Sequence, residues 1–265
     1  MNKHDFSSLA DRVVLVTGGS GHIGSTLTSA FLDHGSVVVT ADLVEPPDFG
    51  DTHGRHLHLA VDLADLGAVA DIPARVLKAF GRLDVVVGAA AFVSHQGSFS
   101  SSATEGWNVP FQQQDESMWD HALKVNLTAN FALLKAAAEP LAAHRLGSAI
   151  LLGSTYGLVA PQRLLYEGLA IDNVAGYAVS KAGVIQLARW LSVVMAPDVR
   201  VNALTPGGVL REHDPEFVRR YEERTPLGRM ASEEDLVGPA LFLASDLASY
   251  VTGHNLVVDG GFTVW

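Results

Sequence analysis

Residues 12–42 hold the pattern that most constrains what this chain can fold into. A short β-branched run, Arg-Val-Val-Leu-Val-Thr at 12–17, leads directly into Gly18-Gly19-Ser20-Gly21-His22-Ile23-Gly24. Helical spacing follows to about His34 and is closed by Gly35, and a second apolar run at 36–42 ends in Asp42. Strand, glycine turn, helix, strand and acid, in that order, make a βαβ unit suited to a dinucleotide. Glycines in the turn permit close backbone approach to a pyrophosphate, and the helix start offers free N–H groups to it. Asp42 is placed to accept hydrogen bonds from ribose hydroxyls, and its charge opposes a 2′-phosphate. No arginine or lysine lies in the turn or directly after Asp42 to offset that charge. The cofactor expected is therefore NAD and not NADP.

The remaining chain continues the alternation. Apolar runs at 56–61, 84–88, 149–153, 199–204 and 255–258 read as strands. Helical patterns lie between them, running to about Phe80, over 115–144 with a bend expected near Pro140, over 175–196 and over 232–245. Residues 92–114 are polar and turn-rich and read as a long surface loop. Such alternation predicts an α/β fold: one Rossmann-type, doubly wound parallel sheet of about seven strands with helices on both faces. No linker or internal repeat divides the chain, so 1–265 is expected to be a single domain.

Charge and composition remove several classes of function. Lys and Arg total 18 against 29 Asp and Glu, a net charge of −11, which argues against nucleic acid or an anionic membrane as partner. There is no cysteine, which excludes disulfides, thiolate catalysis and thiolate metal sites. No apolar run approaches the ~18 residues of a membrane span, and the first residues lack a basic-then-apolar leader pattern. A cytoplasmic location is the expectation. His56 and His58 alternate on one strand with His53 nearby, but no further ligand is placed by sequence to complete a metal site, so none is expected.

The chemistry is expected in 153–181. Tyr177 and Lys181 stand four apart in a helical pattern and so share one helix face. A free tyrosine, with a pKa of about 10, is a poor proton donor near neutrality. A nearby lysine charge favours the phenolate and makes the hydroxyl a usable general acid or base. Ser154 follows an apolar strand, at the sheet edge where open parallel sheets bind ligands. Tyr156, Tyr166 and the tryptophans read as packing residues. Asp62, at the end of the third strand, either contacts the adenine or caps the helix that follows.

Taken together, these residues resemble the short-chain dehydrogenase/reductase family, and the resemblance covers nearly the whole chain. It is carried by Thr17-Gly18 with the glycine turn, Asp42, Asp62, Lys124-Val125-Asn126-Leu127, Gly153-Ser154 and Tyr177-Ala178-Val179-Ser180-Lys181. It continues through Arg200-Val201-Asn202-Ala203, Pro206-Gly207, Tyr250-Val251-Thr252-Gly253 and Val258-Asp259-Gly260-Gly261. The resemblance implies a catalytic tetrad of Asn126, Ser154, Tyr177 and Lys181. Tyr177 would exchange the proton of the substrate oxygen while hydride moves to or from the nicotinamide, and Ser154 would bind that oxygen. Lys181 would hold the nicotinamide ribose and lower the tyrosine pKa, and Asn126 would hold a water linking Lys181 to solvent. It also implies cofactor contacts from Gly18, Ser20, Gly21, His22, Ile23, Gly24, Asp42, Asp62, Leu63, Ala89, Ala90, Tyr177, Lys181, Pro206, Gly207 and Val209. Dimers or tetramers built through the helices near 115–143 and 175–196 and the C-terminal segment are implied as well.

Three departures from the family pattern bear on function. The glycine spacing is that of the longer, sugar-nucleotide-handling branch, with His22 where the shorter branch has glycine. Strand four ends Gly88-Ala89-Ala90-Ala91 in place of the usual Asn-Asn-Ala-Gly. Ser154 and Tyr177 are 23 positions apart, against a usual gap of about 13 in the family. The extra residues, around 161–168, either overhang the active site or pack outward or against a neighbouring subunit. Ser94, His95, Gln96, Arg163, Tyr166, Glu167, Gly208, Arg211 and the charged segment 211–224 suggest a polar, sugar-like or sugar-acid substrate. The expected reaction is interconversion of a secondary alcohol and a ketone. A 3-ketoacyl-thioester reductase or a non-catalytic NAD-binding sensor or scaffold are the alternatives.

Overall fold

Val13–Thr17 (β1) is buried along its whole length, as a run of Val-Val-Leu-Val-Thr requires if helices cover both of its faces. The computed structural model describes residues 5–92, 109–144, 146–169 and 172–265. β1 pairs in parallel with Val37–Asp42 (β2) on one side, Val13 opposite Val37, and with Val85–Gly88 (β4) on the other, Val14 opposite Val85. His56–Ala60 (β3) adds beyond β2. Gly147–Leu152 (β5), Val199–Pro206 (β6) and Asn255–Val258 (β7) add in turn beyond β4. The seven strands are all parallel in the order β3-β2-β1-β4-β5-β6-β7. Strand order reverses between β1 and β4, which opens a crevice at the carboxyl edge of the sheet.

Alternate residues of each strand feed two cores. Val13, Leu15, Val39 and Ala41 pack with helices α2 (Leu66–Phe80), α4 (Ala129–Ala142) and α5 (Ala175–Val194). Val14, Val16, Val38 and Val87 pack on the opposite face with α1 (His22–Asp33) and α7 (Val237–Ala244). Each fully buried side chain of this size, such as Leu15 or Phe31, contributes roughly 1.5–3 kcal/mol.

Helix ends follow their capping residues. α2 starts at Asp65, whose side chain accepts from Gly67 and Ala68 N–H, and it stops at Gly81 in the left-handed region. Asp62 is therefore not the helix cap; its Oδ1 accepts from Ala64 N at 2.8 Å in a tight turn one step earlier. The single helix read over 115–144 is interrupted. α3 (Glu116–Leu123) passes through a π-turn, Lys124–Thr128, into α4. The break thus falls at the π-turn, and Pro140 is accommodated inside α4. The loop read over 92–114 lies mostly outside the described residues, and Phe111–Gln113 forms one short 3₁₀ turn. Residues 211–224 contain α6 (Pro215–Glu223), capped by Asp214 with Pro215 in its first turn. Among the described residues, no helix is long and apolar enough to cross a membrane.

Candidate active site

The glycine turn sits against the carboxyl ends of β1 and β4. A Cβ on Gly18 would stand 2.5 Å from Ala90 Cα, and one on Gly24 would stand 1.9 Å from the Gly18 carbonyl oxygen. These are backbone contacts with no flexible end to yield, so the start of α1 lies directly on the turn. His22, the first residue of α1, is exposed and has no positive φ, so histidine replaces glycine there without strain. Asp42 closes β2, and its Oδ2 accepts from Ser20 N at 3.1 Å. Its Oδ1 makes only a 3.5 Å contact with Val44 N, which leaves that oxygen for a hydroxyl partner. Ser20 Oγ donates to Val44 O at 2.6 Å, fastening the turn to the same loop. Leu63, Thr17 and Ala90 line one small cavity beside Gly18, and Ala89 N donates to Thr17 O at 3.1 Å. This turn, closed to side chains at Gly18 and Gly24, fits a dinucleotide.

At the middle of the edge, Ser154 is buried and its Oγ accepts from Tyr156 N at 3.2 Å. Tyr177 stands in the first turn of α5 and Lys181 one turn later, Nζ 5.8 Å from the phenol ring centre. Lys181 Nζ donates to Leu152 O at 2.7 Å, so the side chain crosses from α5 to the end of β5. Burial pushes the Tyr177 pKa up, while the Ser154 hydroxyl and the Arg211 charge pull it back. In the protein alone, burial thus outweighs the lowering expected from Lys181. Burial also pushes Lys181 down to about 8.

That shift has a sign that stability measurements read. A lysine whose pKa is depressed on folding destabilises the native state below its folded pKa, and the penalty fades as pH rises to the unfolded value. Lys181→Met is expected to raise the thermal midpoint at pH 7, and the gap should close between pH 8 and 10.5. The ionisation contribution is on the order of 3 kcal/mol, offset in part by the donor lost to Leu152 O. Thermal unfolding of both proteins across this pH range checks it; a constant gap would sink it.

Asn126 lies within the π-turn and is fully buried. Its Oδ1 accepts from Phe92 N at 2.6 Å, and its Nδ2 donates to Phe92 O at 3.1 Å and Ser180 Oγ at 3.0 Å. Its backbone carbonyl accepts from Asn130 Nδ2 at 2.7 Å. The side chain holds the chain beyond β4 against α5.

The turn after β6 forms the third wall. Gly207 N donates to Val258 O at 2.9 Å, Gly208 N donates to the Tyr221 phenol oxygen at 2.6 Å, and Val209 pairs with Ala231. Arg211 lies close enough for Tyr177 to feel its charge, and its Nε bonds Glu233 Oε1 at 3.2 Å.

The substrate candidates separate in the structure. Arg163 is exposed, on a 3₁₀ turn (Arg163–Leu165) whose buried member is Leu165. The Tyr166 hydroxyl hydrogen-bonds to that of Tyr156, and its ring packs on Phe217. Burial raises the pKa of Tyr166 to about 12 and pushes Tyr156 higher still, so both hydroxyls stay protonated. His95, with Ser94 and Gln96, lies outside the described residues. The extra residues after Ser154 pack on α6 of the same chain: Arg220 Nη1 donates to Leu164 O and Glu167 O, and Arg224 Nη1 donates to Gln162 Oε1. Sequence reading missed Tyr156 and Tyr221 as site-forming residues; the position of Tyr156, two after Ser154, was the available signal. His56 and His58 both reach Thr40 Oγ1, at 3.0 and 3.1 Å. Among the described residues, no group of three or more acidic or histidine side chains is placed to hold a metal ion.

A family model described as enoyl-(acyl carrier protein) reductase matches residues 19–263. The chain is 30% identical over 267 residues to the 2,5-dichloro-2,5-cyclohexadiene-1,4-diol dehydrogenase of Sphingobium indicum, covering 97% of this chain and 98% of that protein. The chain belongs to the short-chain dehydrogenase/reductase family. It is also 31% identical over 266 residues to the cis-4-hydroxycyclohexanecarboxylate dehydrogenase of Sinomonas cyclohexanicum, covering 97% and 98% of the two chains. A crystal structure of a short-chain dehydrogenase from Leptospira borgpetersenii with bound NAD⁺ superposes with a TM-score of 0.87 at 30% identity, over 99% of this chain and 97% of that one. As a member of this family, the chain has the Rossmann-type sheet that its sequence predicts.

Proposed function

We propose that the protein is an NAD-dependent dehydrogenase that interconverts a secondary alcohol and a ketone on a small, hydroxyl-bearing substrate. The observation that carries this reading is Tyr177, Ser154 and Lys181 gathered at one sheet edge, beside a glycine cradle that ends in Asp42. Gly18, Gly24 and the start of α1 would hold the pyrophosphate, Asp42 the adenosine ribose, and residues 206–209 would border the nicotinamide, which when bound supplies the hydride acceptor.

Tyr177 takes the hydroxyl proton from the alcohol, or returns it to the ketone. Ser154 donates a hydrogen bond to the same oxygen and stabilises its developing charge. Lys181, whose pKa burial lowers to about 8, stands one helical turn from Tyr177 and supports the charge change on it. Since burial raises the Tyr177 pKa, alcohol oxidation should quicken as pH rises. Arg211, near enough to Tyr177 for its charge to act there, and the Tyr156–Tyr166 hydroxyl pair favour polar substrates, sugar-like or acidic. The named relatives act on a ring diol and a ring hydroxy acid, which supports that class. Asp42 and the net charge of −11 speak against a thioester reductase that takes NADP and an acidic carrier. Following NAD reduction against a panel of polyols, sugars and cyclic hydroxy acids tests the reading; turnover with NADP but not NAD would overturn it.

Association into dimers or tetramers belongs to the same reading. Trp190, Val193 and Val194 are exposed on α5 and Phe131 on α4, an apolar face that water disfavours. Light scattering at micromolar concentration should give a mass above that of one chain, and a strict monomer would refute it.

A further inference from the structure

The turn at 206–209 has an unusual support. α6 buries Phe217 and Tyr221. The Tyr221 ring stacks on Phe262 with centroids 4.5 Å apart and planes 7° from parallel. From that fixed ring the phenol oxygen accepts the Gly208 N–H at 2.6 Å. A Cβ at 208 would stand 2.8 Å from Tyr221 Cζ and 2.9 Å from Met230 Cε, so the backbone of the turn rests directly on the phenol. Behind the turn lies a cavity of about 100 Å³ bordered by Gly207, Gly208, Tyr221, Leu227, Arg229 and Asp259. The Gly208 carbonyl accepts from Ala231 N at 2.9 Å, so hydrogen bonds on both sides of the residue, together with these close contacts, set the position of the turn.

Tyr221 is itself held from two sides. Leu165, from the extra residues after Ser154, packs in the cluster with Phe217, Tyr221, Met230 and Phe262. Arg220 ties α6 to Leu164 O and Glu167 O at 3.1 and 2.7 Å. Arg224 bonds Gln162 and takes the indole N–H of Trp265 on its carbonyl, each at 2.7 Å. The extra residues, α6 and the C-terminal residues are thereby joined into one cap, which meets the 206–209 turn through the Tyr221 oxygen.

We propose that Tyr221 is a positioning residue for the nicotinamide end of the site: it holds the 206–209 turn by the Gly208 N–H, and the extra residues at 162–169 influence the active site through it. This rests on the reading above that nicotinamide lies against that turn. Tyr221→Phe keeps the stacked ring and removes only the acceptor, leaving a Gly208 N–H that must find water or move the turn.

Binding of NADH, read by its own fluorescence, and of ADP-ribose, read by calorimetry, separates the possibilities. Tyr221→Phe is expected to weaken NADH roughly tenfold and to leave ADP-ribose, which lacks the nicotinamide, unchanged. Equal affinity for NADH in both proteins would overturn the proposal. A parallel loss of NADH and ADP-ribose would also overturn it, because it would mark general damage to the fold. If the unaltered protein bound ADP-ribose but not NADH, the nicotinamide placement would fall and this inference with it; failure to bind either would remove the dinucleotide reading itself.

Discussion

Tyr177→Phe lowers NAD-linked turnover by about 10²- to 10⁴-fold, the range that a positioned acid–base group supplies. NADH affinity and thermal stability should change little. The ring packs in a small cluster with Phe92, Ala122 and Val174, and phenylalanine preserves that packing. The hydroxyl that remains nearby, on Ser154, can hold the substrate oxygen but is far less acidic than a phenol and replaces Tyr177 poorly as a proton carrier. In the unaltered protein the oxidation rate should rise with pH, because burial holds the Tyr177 proton more tightly than in water. In the variant that dependence should vanish. Steady-state NAD reduction at several pH values measures both effects, and full turnover in the phenylalanine variant would remove Tyr177 from the mechanism.

Gly24→Ala produces the second large effect, and it acts on binding. The added methyl would stand 1.9 Å from the Gly18 oxygen and 3.0 Å from Gly19 Cα. Both neighbours are backbone, so α1 must move off the turn, at a cost of about 1–3 kcal/mol in stability. The helix start that should face the pyrophosphate moves with it, and NADH affinity should fall at least tenfold, roughly the value of one lost charge-assisted contact. NADH titration of the variant against the unaltered protein reads the loss, and near-native affinity in Gly24→Ala would show that the cradle is not where the dinucleotide sits.

Much of this architecture was legible because it rests on local signals. Runs such as Val13–Thr17 have few alternatives to a buried parallel strand, and Tyr177 and Lys181 need only a helix to share a face. What escaped the sequence depends on contacts between distant segments. The π-turn at Lys124–Thr128 shifts the helical phase by a single residue, and periodicity over 115–144 does not register so small a change. Its visible partner, the pair of hydrogen bonds between the Asn126 side chain and the Phe92 backbone, spans 34 positions. Asp62 reads as a possible cap of the helix that follows, and only the turn geometry gives that role to Asp65. The extra residues near 161–168 carry no periodicity, so their packing on α6 could not be told from an outward loop. Tyr221 meets Gly208 across a turn and a helix, a contact that neither residue's neighbours announce.

The bond between Asp42 and Ser20 N also limits how this enzyme could be redesigned. Changing cofactor preference usually begins with replacing the acid at the end of β2, to make room for a phosphate. Here the same carboxylate braces the glycine turn, so its removal unsettles the seat of every dinucleotide while relaxing the choice between them. Asparagine at 42 would keep an acceptor for Ser20 without the negative charge. Selectivity and scaffold share one side chain, and an altered preference would have to supply a new brace along with the new pocket.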